Sequence, residues 1–255
     1  MPRVKSSIIK YGFEALSSDR RRVVTIGSFD GVHEGHRTLL DHLKAMARRL
    51  DAESVVVTFD PHPRIAMGRD EGMGLLTTVE ERALLLDAEG IDHLVVAHFD
   101  EEFRMQPYSD FVANSLVAKL GMCGMIVGYN HRLGRGSEGN YERLVPMAET
   151  YKFELECVPQ HRLDGAKVSS TVVREVISAG DMERVAELLG HRYVVVGNSF
   201  NGVVDVENRY KILPPDGRYR ATVEKSGIVH AMEVDIQNRR ICSKEIADGA
   251  VVISL

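Results

Sequence analysis

Short runs of β-branched residues alternate with helical patterns as far as Gly190, and that alternation leaves few folds open. Arg22 to Gly27 (RVVTIG) reads as a buried strand ending at a glycine. After the loop SFDGVHEG, residues 36–50 read as a helix, with Leu39, Leu40, Leu43, Met46, Ala47 and Leu50 on one face. Ser54 to Phe59 is apolar throughout, the pattern of a strand covered on both faces. His93 to His98, Met125 to Gly128 and Phe153 to Val158 read as further strands, the last marked by Glu154 and Glu156 as an edge or polar face. Thr77-Thr78-Val79-Glu80 reads as a capping box opening a helix that stops at Gly90. Ser109 reads as the cap of a helix stopping at Gly121, and Asn140 as the cap of one reaching Tyr151. Ser170 to Leu189 is helical again, interrupted at Gly180-Asp181. The expected fold is α/β: a doubly wound, mostly parallel, Rossmann-like sheet, with ligands at the carboxyl ends of its strands.

After Gly190 the pattern changes to short alternating runs, at Tyr193 to Gly197, Tyr219 to Glu224, Ile228 to Ile236 and Ala250 to Ser254. The reading is therefore two domains, residues 1–190 and a small antiparallel β domain over 191–255. Charge excludes some roles: 32 basic against 37 acidic residues is not the balance of a chain that coats nucleic acid. No apolar run is long enough for a membrane span. Cys123, Cys157 and Cys242 are odd in number and lack CxxC spacing, against a disulfide framework and a structural zinc site. The first residues lack the apolar core of a secretory signal, so a cytoplasmic protein is expected.

GSFDGVHEGH follows the first strand and opens the first helix. Gly27 and Gly31 allow a tight turn and close backbone approach to a ligand. His33 and His36 stand three apart across the helix start, where free amides and the helix dipole attract anions. An imidazole can be protonated near neutral pH, particularly beside phosphate. Two such groups with backbone donors suit charge building on a phosphoryl group in transit. The plain alternative is a helix start carrying two solvated histidines. This loop carries neither GxxxxGK[ST] nor GxGxxG, and no nucleophile–base pair is evident.

KVSSTVVR, residues 167–174, stands before the last helix of the first domain. Ser169 or Ser170 can cap it, and Arg174 lies above Ser170 and Thr171 on the same face. Hydroxyls, amides and a guanidinium facing one way make a second phosphate site; a capped helix with a surface arginine is the alternative. His93, His98, His161, His191 and His230 lack metal-ligand spacing and read as structural or solvated. Asp100-Glu101-Glu102 reads as an exposed loop or helix start in preference to a metal site, Arg20-Arg21-Arg22 as a solvated run in preference to a phosphate contact, and Met122 to Met125 as core.

The two motifs together resemble the nucleotidylyltransferase superfamily. At finer grain the chain resembles prokaryotic FAD synthetase, the FMN adenylyltransferase module of bifunctional riboflavin kinase/FAD synthetases. GSFDGVHEGH, VVTFDPHP (Val56 to Pro63), LTTVEER, VGYNHRLGRG and KVSSTVVR stand in that family's order and spacing, over residues 20 to 190. The resemblance implies transfer of AMP from ATP to the phosphate of FMN, giving FAD and pyrophosphate, with Mg2+. It implies that His33 and His36 bind the ATP phosphates and stabilise the transition state. Ser169, Ser170, Thr171 and Arg174 would hold the departing phosphates. Gly27, Phe29, Asp30 and Gly31 would shape the adenylate pocket. Phe59, Pro61, His62 and Pro63 would line the flavin side, with Asn130 near the flavin. A histidine between two prolines also reads as a rigid turn residue.

The family's run after that asparagine is aromatic-x-aromatic-Gly. Here it is His131-Arg132-Leu133-Gly134, a departure that bears on how the flavin ring is held and not on AMP transfer. Arg132 and Arg135 read as anion contacts or as a solvated loop. Pro215 to Tyr219 resembles one strand-turn of a riboflavin kinase barrel, yet the kinase's glycine-rich loop and PTAN run are missing between Tyr193 and Leu213. The expectation is an FAD synthetase without riboflavin kinase activity. Its tail would be a reduced barrel kept for packing, oligomerisation or closure over the flavin; the oligomeric state is left open. The alternatives are a bifunctional enzyme with a disguised kinase, a superfamily enzyme with another acceptor, and a non-catalytic flavin- or nucleotide-binding homologue. TFDPHP and the 128–136 loop argue against another acceptor; His33, His36 and Arg174 argue against a mere binder.

Overall fold

In the computed structural model, which describes residues 7–71, 73–159, 162–163 and 166–255, the alternation becomes a six-stranded sheet and a closed six-stranded barrel. The sheet strands are β1 (Ile9–Tyr11), β2 (Arg22–Ile26), β3 (Glu53–Asp60), β4 (His93–His98), β5 (Met122–Gly128) and β6 (Glu154–Val158). Their order is β1-β4-β3-β2-β5-β6, and every pairing is parallel. β1 has only three residues, too few to show a period, and sequence reading passed over it. The edge expected at Phe153 to Val158 is present: β6 pairs only with β5, and Glu154 turns outward to Arg49.

The two faces of the sheet are sorted by the two-residue strand period. Val24, Ile26, Val55, Val57, Val95 and Val127 join one core, while Val23, Val56, Leu94, Val96 and Ile126 join the other. Helix α1 (Glu34–Arg49) lays Leu40, Leu43 and Met46 on the second face. After β3 come a short α2 (Pro63–Ala66), α3 (Val79–Ala88) and α4 (Glu101–Met105), which Asp100 caps. The capping box of α3 stands one residue later than the sequence expectation: Thr78 and Glu81 exchange the reciprocal bonds. Thr77 is spent elsewhere, on Asp30.

Ser109 does not cap the next helix. It lies inside the opening turn, α5 (Tyr108–Asp110), bonded to Asp110, and the turn widens into a π-helix over Phe111–Lys119. Gly121 ends that helix at φ +63°, where a Cβ would come within 2.4 Å of the Arg20 carbonyl oxygen. Arg22 departs from the solvated run expected for Arg20 to Arg22. It is 2% exposed, donates to the Ser17 and Leu120 carbonyls, and pairs with Glu53. Asn140 caps α6 (Tyr141–Tyr151), and a two-stranded ribbon, β7 (Arg162–Leu163) and β8 (Ala166–Lys167), leads to α7 (Ser170–Ser178) and α8 (Met182–Leu189).

The barrel holds β9 (Val194–Phe200), β10 (Val203–Asp205), β11 (Gly217–Lys225), β12 (Ile228–Gln237), β13 (Arg240–Cys242) and β14 (Gly249–Ser254). Its pairings are all antiparallel, in the order β10-β13-β12-β11-β14-β9. β10 and β13 are three-residue strands that the sequence did not reveal. The barrel core runs on into α7 and α8: Val173, Ile177, Val185, Leu188 and Leu189 share one cluster with Val195, Val223, Ile236 and Ile253. A buried ion pair adds a polar fastening. Lys211, 0% exposed, donates to Glu81 and to the Leu76 and Val194 carbonyls, so one ammonium ties α3 to the barrel. Glu81 also accepts from the Val196 amide. Among the described residues no helix is long and apolar enough to cross a membrane.

Candidate active site

From β2 the chain runs to β3 and β4 on one side of the sheet, then returns to β5 on the other. Crevices form at such a switch point, outside the carboxyl ends of the strands. A cavity of about 450 Å³ opens there, lined by the β2–α1 loop, by Gly128 to His131 after β5, and by Val168 to Thr171 at the start of α7.

The β2–α1 loop is a strained turn. Phe29, Gly31 and Val32 all have positive φ, at 46°, 86° and 42°. A branched side chain there is an outlier, and such strain gathers at functional sites. Gly31 is required twice over, by its φ and because a Cβ would stand 2.7 Å from Leu76. The turn delivers His33 as the N-cap of α1 with its ring stacked on His36, centroids 3.7 Å apart, and Phe29 packs on His36 at 4.8 Å. Both Nδ1 atoms are buried without a partner.

Burial sets their charge state in the absence of a bound anion. Burial pushes His33 down to about 4 and His36 well below the ordinary imidazole value, the neighbouring ring and Arg82 adding to the effect on His36. Both are neutral at pH 7, so they enter as hydrogen-bonding groups rather than as ready cations. The switch would come with a bound polyanion, which favours the imidazolium.

Facing them are Ser169, Ser170 and Thr171 on the same cavity wall. Ser169 is the N-cap of α7 by backbone geometry without a side-chain bond, leaving the helix start open. Ser170 donates to the Asp30 carbonyl at 2.9 Å. Asp30, 1% exposed, is a hub behind the wall: its carboxylate accepts from the Thr77 amide and hydroxyl and pairs with Arg174. Arg174 also donates to the Gly74 carbonyl and does not line the cavity. Asp30 and Gly31 therefore brace the pocket, while Gly27 and Phe29 face it. His191, read from the sequence as structural or solvated, takes the structural role and braces the same turn through Nε2 and the Gly31 carbonyl at 3.0 Å. His161 lies outside the described residues.

The residues assigned by resemblance to the flavin are divided between two places. Asn130 and His131 line the histidine cavity. Phe59 and His62 line a second cavity, of about 300 Å³, over the end of β3 and against the barrel. Pro61 and Pro63 line neither of the two. His62 is both turn and lining: it caps α2 by accepting from Arg64, and burial pushes it down to about 4. Arg82, which the sequence offered only as part of LTTVEER, lies in the second wall and was missed. It is 3% exposed and donates to Thr58 and to the Thr77 carbonyl. The signal was a basic residue placed one turn into a capped helix, where the dipole does not ask for one.

A family model described as FAD synthetase matches residues 15–172. A bifunctional riboflavin kinase/FMN adenylyltransferase of Escherichia coli is 29% identical over 211 residues, covering 79% of this chain and 67% of that protein. An FAD synthetase of Listeria monocytogenes is 29% identical over 231 residues, covering 90% of this chain and 89% of that one. A solved structure described as a macrolide-efflux protein from Streptococcus pneumoniae superposes with a TM-score of 0.80 at 21% identity, over 97% of this chain and 89% of that chain. That likeness extends through both the sheet and the barrel, and it is one of fold.

Proposed function

We propose, from the premise that this chain belongs to the FAD synthetase family, that it transfers AMP from ATP to FMN, giving FAD and pyrophosphate. The observation that carries the reading is the stacked His33–His36 pair at the start of α1, facing Ser169 to Thr171 across the cavity at the switch point. Two helix starts and two imidazoles converge on one space without a carboxylate on its lining, which suits the polyphosphate of ATP.

An oxygen of the FMN phosphate attacks the α-phosphorus of ATP, a new P–O bond forms, and the bond to the pyrophosphate oxygen breaks. The attacking phosphate is already an anion, so no general base is needed. The obstacle is the approach of two anions, and the protein's work is positioning and charge neutralisation. His33 and His36 would donate to the phosphates, Ser169 to Thr171 would hold the leaving pair, and Arg174 would join them by exchanging Asp30 for phosphate. Mg2+ fits as a passenger of ATP: phosphates and water can satisfy it, and no group of three or more His, Cys, Asp or Glu among the described residues forms a cage. Bound there, it would screen phosphate charge.

Residues 1–190 would carry this chemistry, and the barrel over 191–255 would be non-catalytic, since its first strands lack the glycine-rich loop and PTAN run of the kinase. The test incubates the protein with ATP, Mg2+ and either FMN or riboflavin and resolves the flavins by chromatography. FAD from FMN with nothing from riboflavin is expected; FMN formed from riboflavin refutes the kinase part, and no FAD from FMN refutes the whole. His36→Ala is expected to lower turnover by about 10²-fold or more, the scale of losing one transition-state donor.

A further inference from the structure

The peptide group between Gly31 and Val32 joins two residues of positive φ, at 86° and 42°, directly ahead of His33. Three side chains from distant segments grip the chain around it. Ser170 of α7 donates to the Asp30 carbonyl, Thr77 accepts from the Gly31 amide, and His191 faces the Gly31 carbonyl through Nε2. His191 lies where α8 gives way to the barrel. Gly190 brings the chain in so closely there that a Cβ on it would collide with Glu34 and Arg37 at the start of α1.

The ring of His191 stands between two carbonyls. Nδ1 lies 2.7 Å from the Arg192 oxygen and Nε2 lies 3.0 Å from the Gly31 oxygen. Both oxygens only accept, so each needs a proton from the ring. Burial holds His191 below the ordinary imidazole value, and at pH 7 a neutral ring has one proton for the two. The charged groups that face it leave this count alone: Arg37 of α1 is paired with Glu34 and with Glu89 at the end of α3, and His33 across the turn is itself neutral. Solvent decides where the proton goes. Arg192 is exposed, and water can serve its carbonyl; Gly31 is buried, and among the described residues no other donor reaches its carbonyl.

We propose that His191 is a positioning residue for AMP transfer, its Nε2–H donating to the Gly31 carbonyl and so holding the turn that presents His33 and His36 to the phosphates. This rests on the transfer reading above and adds to it a residue that does not line the nucleotide cavity. The turn needs such a hold. A branched residue in the left-handed region is strained, and Val32 persists there because its surroundings over-determine it. With the Gly31 carbonyl released, the peptide can rotate towards ordinary backbone, and His33 moves with it. A misplacement on the order of 1 Å costs about 10²-fold in rate at most transfer sites of this kind.

The experiment uses two amides of like charge and polarity. His191→Gln carries a donor nitrogen to the place of Nε2, whereas His191→Asn carries one only as far as Nδ1. FAD formation from ATP and FMN is followed for the full chain and both variants, well below the lowest of their melting temperatures. His191→Asn is expected to lower kcat about tenfold, the scale of one buried hydrogen bond, with KM for ATP and FMN unchanged. His191→Gln should recover most of that loss. Ring nitrogen NMR of the wild type at neutral pH reads the proton directly, since the signals that His191→Gln removes identify this ring among the ten histidines. Nε2 should be protonated. A ring protonated on Nδ1 alone, wild-type kcat in His191→Asn, or equal kcat in the two variants overturns the proposal and leaves the transfer reading standing. A wild type that forms no FAD from FMN overturns both.

Discussion

The two cavities lie over neighbouring strands of one sheet and are built on opposite electrostatic plans. The switch-point cavity, over β2 and β5, has no carboxylate on its lining and presents two helix starts and neutral imidazoles. The barrel-side cavity, over β3, has Asp60, Glu80 and Glu81 around a single buried guanidinium. The first is prepared for a polyanion that brings its own charge; the second refuses one. On the function proposed above, the contrast teaches that the fold would sort the two ends of a phosphorylated aromatic substrate by field as well as by shape. The wall between them is polar and shared: Asp30, Thr77, Arg82 and Thr58 belong to both sides through their hydrogen bonds.

The strongest way to break the comparison is to detach the barrel. Lys211→Met leaves Glu81 buried without its cation, and losing one partner of a buried pair costs about 3–5 kcal/mol. Denaturant unfolding of the full chain is expected to show a loss of that size, with flavin binding lost at lower denaturant than ATP binding. Lys211→Met combined with Glu81→Gln should recover most of it, because Gln keeps the acceptor for the Thr78 or Val196 amide and no longer carries a charge. Loss of both ligands together would show that the barrel supports the two cavities equally and would end the contrast.

Proton linkage sharpens the same comparison with a smaller effect. Burial holds His33, His62 and His131 at about 4, below the ordinary 6.5. Between those values the unfolded chain binds more protons than the folded one, so stability is complete above 6.5 and is lost as pH falls towards 4. The melting temperature should follow that course, and His33→Gln should flatten it. ATP phosphates beside His33 raise its affinity for a proton, so ATP binding at about pH 6 should take up protons, read by calorimetry in buffers of different ionisation enthalpy. On the function proposed above, FMN would bring only its neutral ring towards His62, so its uptake should be smaller. ATP binding without proton uptake would mean that the imidazoles stay neutral against phosphate.

Much of this was legible in the sequence, and the exceptions have physical causes. The buried runs at Val23, Val55 and Val95 name the sheet because two-sided burial leaves no polar position to mask the pattern. GSFDGVHEGH names its turn because few residue sets tolerate three left-handed positions in four. What stayed hidden depends on contacts between distant segments. Lys211 reads as a surface lysine in ENRYKIL until Glu81 is beside it, and Asn198 has no meaning until the barrel meets α3. The neutral state of His33 and His36 was equally out of reach, since burial and not residue type sets it. Three-residue strands such as β1, β10 and β13 carry no period to read.

The smallest effect concerns adjacent threonines that sequence reasoning misregistered by one place. Thr78 caps α3, accepting from the Glu81 amide at 3.2 Å, whereas Thr77 accepts from the Gly31 amide and donates to Asp30. One hydroxyl serves the helix and the other serves the wall between the cavities. Thr78→Ala should therefore cost about 1 kcal/mol of stability, the ordinary worth of a cap, and leave KM for both substrates near the wild-type value. Thr77→Val keeps the shape and removes the hydroxyl, so it frees Asp30 to draw Arg174 more firmly and loosens the strained turn under His33. It is expected to lower kcat while changing the melting temperature no more than Thr78→Ala does. If the two variants behave alike in both readouts, the shared wall is only scaffolding and the field difference between the cavities arises without it. If they part as expected, one step along the chain separates a residue that holds the fold from one that holds the chemistry.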